Sequence, residues 1–243
     1  LDESYSLCHD TIINRPLQMT QTKLSTEGQV TINPIFSKPL YSKFTNIDTK
    51  KIVSMIDEDG FHDDYNNTEP GVANMSFISN SIHVLDDNKF KFLKDILMKE
   101  FYLYASDVMG YTNEFEITTS WFTRATKGQS SNFHNHSNCM MSGVLYLQTN
   151  ENSGNIVFEN FNMDRYSLHI EEYNVFNSSR WSIKPEDGLL VIFPSEVHHK
   201  IAENESDTTR YSLAFNVIPT GLMGVGSPYN ILFPDSVNIK LEK

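Results

Sequence analysis

The stretch SNFHNHSNCMMSGVLYLQ, residues 131–148, joins a polar loop holding two histidines to an apolar run of strand character. His134 and His136 stand two residues apart. In an extended chain residues i and i+2 point to one face, so both imidazoles can meet at one metal ion. A lone His-x-His in an Asn- and Ser-rich loop is more often a solvated pair. The reading therefore depends on what the rest of the chain brings to it.

Around this stretch the chain reads as strands. EFEITTSWFTR alternates before it, and NIVFEN, LLVIFP and RYSLAFNVI follow as short runs rich in β-branched and aromatic residues. TKGQSSN, NENSG, KPEDG and ENESDT separate them as turns. Many short strands with polar turns predict a sandwich, barrel or jelly roll. Two upstream segments read as helices. Residues 48–59 place Ile52, Met55 and Ile56 on one stripe, with Gly60 as a stop. Residues 87–109 carry Phe90, Leu93, Ile96, Leu97, Phe101 and Tyr104 at helical spacing and end at Gly110. Residues 57–76 are rich in Asn, Asp and Gly and read as a long loop. The expected fold is mainly β with N-terminal helices in one domain. Helical support spans about residues 1–112, the β-core about 113–220, and a tail 221–243.

The chain has 243 residues, 39% of them hydrophobic, enough for one sizeable core. Its net charge of −12 argues against nucleic acid or an anionic membrane as the main partner. Two cysteines, Cys8 and Cys139, make no disulfide framework and point to a reducing, cytoplasmic compartment. The first residues show no signal-peptide pattern, and no apolar run approaches the ~20 residues needed to span a bilayer.

Two further features join the histidine pair. GLLVIFPSEVHHKI, residues 188–201, ends an apolar strand in His198 and His199. Adjacent residues on a strand face opposite sides, so at most one of these reaches the same site. Arg210 opens the strand RYSLAFN, with Ser212 on its face. An arginine pointing into a barrel needs an anion. By parity from His134, the residues Asn138, Met140, Ser142, Val144 and Tyr146 share the inward face. Cys139 reads as a packed thiol at the strand start rather than a ligand.

The motifs HNHSNCMMSGVLYL, GLLVIFPSEVHHKI and RYSLAFN, in this order over roughly residues 115–218, resemble those of the iron(II)- and 2-oxoglutarate-dependent oxygenases. The likeness is to the prolyl-hydroxylase-like branch, and within it to a phage and bacterial group with an HxH…H site. That resemblance implies a double-stranded β-helix, a jelly-roll and cupin-like core. It implies iron(II) on His134, His136 and His199, the last because His199-Lys200-Ile201 fits the family's His-x-(Val/Ile). It implies that Arg210, with Ser212 and Tyr146, receives the far carboxylate of 2-oxoglutarate. His136 departs from the family's HxD or HxE and leaves the metal no anionic protein ligand.

The implied reaction converts 2-oxoglutarate and O2 to succinate and CO2 while hydroxylating a C–H bond, with ascorbate as a candidate reductant. The expected substrate is a peptide or protein, prolyl first, with a small molecule as the other option. No nucleic-acid or membrane partner is expected, and the compartment would be host cytoplasm for a phage-encoded protein. Residues 57–76 and 159–180 are the candidate recognition loops. Two rival readings keep the histidines: a cupin-like metal-binding or structural protein without turnover, and a three-histidine dioxygenase that uses no 2-oxoglutarate.

Overall fold

In a computed structural model of the protein, residues 30, 32, 36–63, 75–160, 168–221 and 223–224 are described. Cys8 and most of the 57–76 loop lie outside them, as do residues 161–167 and most of the tail. Among the described residues, ten strands form two antiparallel sheets. They are β1 Tyr41–Phe44, β2 Phe61–Asp63, β3 Phe77–Ser79, β4 Glu114–Ala125, β5 Met141–Gln148, β6 Ile156–Glu159, β7 Arg180–Ile183, β8 Leu189–Pro194, β9 His198–Ile201 and β10 Arg210–Thr220. The large sheet runs β1-β8-β5-β10-β4-β3-β2, and the small one β7-β6-β9. This is the expected double-stranded β-helix, a mainly β fold with helices ahead of it.

Two apolar layers result. Leu145, Leu147, Leu190, Ile192, Leu213, Phe215 and Val217 leave the large sheet on one side and meet the helices. Val144, Tyr146, Leu189, Val191 and Phe193 leave it on the other and meet Ile156 and Phe158 of the small sheet. β8 is covered on both faces, which is why LLVIFP is an unbroken apolar run rather than an alternating one.

The helical segments are shorter and less regular than their periodicity predicts. The first, α1, covers Thr49–Met55 and is capped by Asp48, whose carboxylate accepts from Lys51 N at 3.1 Å. It stops before Gly60 because Ile56 turns extended. Glu58 then reaches back to Tyr211 Oη at 2.6 Å and to Arg124. The second, α2, covers Lys91–Tyr102 and buries Leu93, Leu97 and Phe101. It does not continue as α-helix to residue 109: Leu103–Val108 widen into a π-turn, with Met109 N bonding Tyr104 O at 3.1 Å. That turn buries both Tyr104 and Ala105, and Tyr104 Oη donates to Pro39 O at 2.9 Å. The upstream region is also not only helical, since β1, β2 and β3 join the large sheet. β2 lies inside the stretch read as a loop.

One irregularity sets the interior. β4 and β10 pair in register until Asn216↔Thr119, after which Val217 pairs Ile117 and Thr118 is left over. The extra residue inverts the alternation of β4. Phe115 and Ile117 face the helices before it and Phe122 after it. Thr119, Trp121 and Thr123 are thereby turned inward.

Gly143, between Ile192 and Phe215 in the sheet, is a test of how tightly the helix-side layer is packed. A Cβ there would lie 2.6 Å from Phe215 Cε1 and 2.8 Å from Cε2. Gly143→Ala is expected to destabilise by about 1–3 kcal/mol. Thermal unfolding should show a midpoint several degrees lower; an unchanged midpoint would mean that Phe215 can rotate freely out of the way.

Candidate metal centre

The loop after β4 runs along the strand β9, bonded to it at Ser131–Ile201 and again at His134–His199. His134 N donates to His199 O at 2.9 Å, and His199 N donates to His134 O at 2.9 Å. This bridge puts residue 134 opposite residue 199, so their side chains share a face. His136 N donates to Ser195 O at 3.0 Å, which anchors the second histidine to the turn after β8. One candidate ligand atom from each of His134, His136 and His199 then falls within 4.8 Å of the others. The ring centroids are 4.4 Å apart for His134–His199, 5.2 Å for His134–His136 and 5.1 Å for His136–His199.

The remaining ring nitrogens explain how this cluster can take a cation. Nδ1 of His134 faces the carbonyl of Asn132 at 2.9 Å, and Nδ1 of His199 faces that of Val197 at 3.0 Å. A carbonyl only accepts, so in both rings Nδ1 carries the proton and Nε2 keeps its lone pair. His136 Nδ1 faces Asn216 Oδ1 at 2.6 Å and Ser142 Oγ at 2.9 Å. Nε2 of His134 and of His199 thus faces the His136 ring, and three imidazoles around one point are a donor set suited to divalent transition metals. His199 is buried, His136 half-buried and His134 exposed, so the cluster opens to solvent past His134.

Burial against Phe193 and Phe158 holds the His199 imidazole down to about 3, aided by the neighbouring histidines. Burial also lowers His136, against the opposing effect of its bond to Asn216.

His198 sits on the other face of β9, opposite Glu159, and is outside the cluster. Cys139 is a half-buried free thiol, also outside it. The expected inward row holds for Ser142, Val144 and Tyr146 but not for the two residues before them. Asn138 takes a left-handed φ of 59°, which breaks the extended alternation, and Met140 packs toward the helices.

Along β10 the inward face runs Arg210, Ser212, Ala214, Asn216, paired across β5 as Ser212↔Tyr146, Ala214↔Val144 and Asn216↔Ser142. The histidines stand at the Asn216 end and Arg210 at the other. Arg210 is 2% exposed. Its Nη1 donates to the carbonyl of Ser153, and no carboxylate among the described residues pairs with it. Burial lowers its pKa, and Tyr146 partly opposes that. Tyr146 is wholly buried and its hydroxyl has no hydrogen-bond partner among the described residues. Burial pushes that phenol well up, so it is a donor at any ordinary pH. Ser212 Oγ lies 2.5 Å from Thr123 Oγ1. Two hydroxyls that share one bond keep one proton to give elsewhere.

Local sequence pattern does not single out Thr123, Asn216 or either tryptophan. Trp121 lies 5.9 Å from the His136 ring, and Trp181 pairs with Phe158, which pairs with His199. Trp181 is 52% exposed although it lies in the inward row. The parity of β4 could not reveal Trp121 or Thr123, because the bulge at Thr118 reverses it.

His199→Ala is expected to abolish binding of a divalent metal followed by calorimetric titration, while His198→Ala leaves it within about twofold, since one faces the cluster and the other does not. The depressed His199 fixes a second expectation. An unfolded imidazole titrates near ~6.5, so the unfolded chain binds more protons than the folded one between ~6.5 and the folded value. The contribution is complete above that window and is lost as pH falls through it. Metal-free protein should therefore lose up to about 2 kcal/mol between pH 7 and pH 5, as read by denaturant unfolding, and His199→Leu should flatten that slope.

Residues 119–216 match a family model described as "Putative 2OG-Fe(II) oxygenase". No curated protein matches the chain significantly. Solved structures do. A prolyl-4-hydroxylase from Pseudomonas putida is 14% identical with a TM-score of 0.54, over 76% of this chain and 95% of that one. A Trichoplax adhaerens prolyl hydroxylase in complex with a hypoxia inducible factor oxygen degradation domain peptide fragment is 13% identical, TM-score 0.52, over 74% and 83%. HygX from Streptomyces hygroscopicus, with nickel, 2-oxoglutarate and hygromycin B bound, is 12% identical, TM-score 0.52, over 75% and 84%. These likenesses concern the fold; the family match covers the strands that carry the histidines and the arginine. Over residues 119–216 the chain is thus similar to the iron(II)- and 2-oxoglutarate-dependent oxygenases, and its double-stranded β-helix is a fold it shares with the prolyl hydroxylase structures.

Proposed function

We propose that this protein is an iron(II)- and 2-oxoglutarate-dependent dioxygenase that hydroxylates a C–H bond, with a peptidyl and first a prolyl substrate. The observation that carries this reading is the polar end of the inward face. Among the described residues, a buried guanidinium without a carboxylate partner and a buried phenol without an acceptor lie beside each other, on the two strands whose Asn216 and Ser142 bond His136 of the three-histidine cluster. Each costs stability unless an anion answers it. A dicarboxylate that also chelates a metal answers both.

His134, His136 and His199 would hold iron(II) through Nε2. Arg210 would pair with the far carboxylate of 2-oxoglutarate, with Tyr146 Oη and the Ser212–Thr123 hydroxyl pair donating to it. When bound, iron and cosubstrate supply the oxidation, in which 2-oxoglutarate and O2 become succinate and CO2 as a C–H bond is hydroxylated. The protein binds, orients and excludes water. Its walls suit that role, since Val144, Ala214 and Phe193 put apolar side chains between the two ends. Three neutral imidazoles leave a divalent ion's charge unanswered, so the dianionic cosubstrate would be the principal source of negative charge at the metal.

For the substrate, Trp121 lies 5.9 Å from the His136 ring, and Trp181 stands on the small sheet beyond Phe158. Aromatic walls of this kind suit an extended Pro-containing segment. A prolyl-4-hydroxylase and a prolyl hydroxylase seated on a peptide share the fold.

Anaerobic titration of iron(II) with and without 2-oxoglutarate tests the reading. A visible metal-to-ligand charge-transfer band should appear only with the cosubstrate. Arg210→Ala should weaken 2-oxoglutarate binding by at least about 2 kcal/mol, roughly 30-fold, because the clamp loses its charge. Metal uptake without the band, and unchanged cosubstrate affinity in the variant, would instead favour a three-histidine site that uses no 2-oxoglutarate.

A further inference from the structure

We propose that Asn216 is a positioning residue for His136, holding that ring in the tautomer with its proton on Nδ1 so that Nε2 is free to bind metal. The proposal rests on the metal-site reading above and adds a residue that neither the HxH pattern nor the family likeness supplies.

The other two histidines need no such help. Backbone carbonyls, which cannot donate, face their Nδ1 atoms and leave them a single tautomer. His136 differs because its partners are side chains that can act in either sense. An asparagine offers a ring nitrogen its oxygen or its NH2, and a serine hydroxyl donates or accepts. Only one arrangement serves a metal.

In the structure Asn216 turns Oδ1 to the ring at 2.6 Å. Its Nδ2 donates away, to Thr119 Oγ1 at 3.0 Å. Ser142 Oγ donates to the same Oδ1 at 2.9 Å, and it stands 2.8 Å from Ser195 Oγ, which can donate to it in turn. The chain of bonds is consistent from end to end. Ser195 donates to Ser142, Ser142 and the imidazole N–H both donate to Asn216, and Asn216 donates to Thr119. Turning the amide over would aim its NH2 at Nδ1, move the ring proton to Nε2 and close the metal-facing nitrogen.

The backbone holds this orientation. Asn216 lies where β10 passes the β4 bulge, and the bulge brings Thr119 to the inward face opposite it. Asn216 pairs with Ser142 across β5. Three strands thus aim the amide. Because its acceptor is an amide oxygen rather than a carboxylate, the link adds orientation without adding charge at the one ligand position where the family places an acid.

Histidine-ring nitrogen NMR on metal-free protein at pH 8, with cobalt(II) titration of the same samples, tests this. The wild type should carry the His136 proton on Nδ1. Asn216→Leu, close in size, should move that proton to Nε2 in much of the population and weaken cobalt(II) binding by roughly 10–100-fold. Asn216→Asp keeps an acceptor, and should keep the Nδ1 proton and bind cobalt(II) at least as tightly as the wild type. A His136 proton on Nε2 in the wild type would overturn the proposal. So would an Asn216→Leu protein that binds cobalt(II) within twofold of the wild type, or an Asn216→Asp protein as impaired as Asn216→Leu. Wild-type protein that kept the Nδ1 proton but took up no cobalt(II) would overturn the metal reading and leave the tautomer assignment standing.

Discussion

Two backbone hydrogen bonds between His134 and His199 hold the candidate centre together. They join the loop leaving the large sheet to the edge of the small one. Without them the His-x-His segment would be an ordinary polar connection, and the two sheets would enclose an apolar interior with no chemistry at its mouth. The pairing sets three things at once. It puts residues 134 and 199 on the same face, it leaves 198 on the opposite one, and it brings His136 close enough to Ser195 to be tied down. Backbone pairing does this more firmly than side-chain contacts could, because a slip by one residue would send every side chain to the other side.

The interior is ordered by polarity along one strand. Asn216 bonds His136 at one end of β10, Ala214 is neutral ground, and Ser212 and Arg210 form the cationic end. A charge buried at one end and three imidazoles at the other are the two features that the proposed dicarboxylate would span. The protein tolerates this because the apolar layers on both faces of β8 and β5 are extensive and closely packed. Unsatisfied groups such as Tyr146 Oη are tolerable only inside such a frame, and their presence is why the polar row reads as a binding site rather than a packing error.

Much of this is legible in the linear chain. The five main strands of the core, the separation into strands and helices, and the spacing from His134 through His199 to Arg210 all follow from local pattern. Strand periodicity survives folding, because a face that is buried in one layer must be apolar at every second position. Adjacent histidines on a strand must diverge, so the choice between His198 and His199 reduces to a two-way question. The short strands β1, β2, β3 and β7 are not legible. Each has three or four residues, too few to show a period, and each is held by pairing along the edge of a neighbouring strand. The helix ends escape local pattern for a similar reason. Ile56 has an apolar side chain that fits the helical stripe, but its backbone turns so that Glu58 can meet Arg124 and Tyr211, a tertiary demand.

The sequence by itself determined the fold class and the residue types of the centre, since those depend on composition and spacing along one chain. Only the tertiary structure decided which way the side chains face. Thr118 is one residue too many for its partner strand, and that excess turns Trp121 and Thr123 inward. Asn138 adopts a left-handed backbone that interrupts the alternation ahead of the inward row Ser142, Val144 and Tyr146. Asn216 meets His136 across 80 residues of sequence. Bulges, left-handed residues and long-range pairs depend on what lies on the neighbouring strand, so no reading of one strand at a time can contain them.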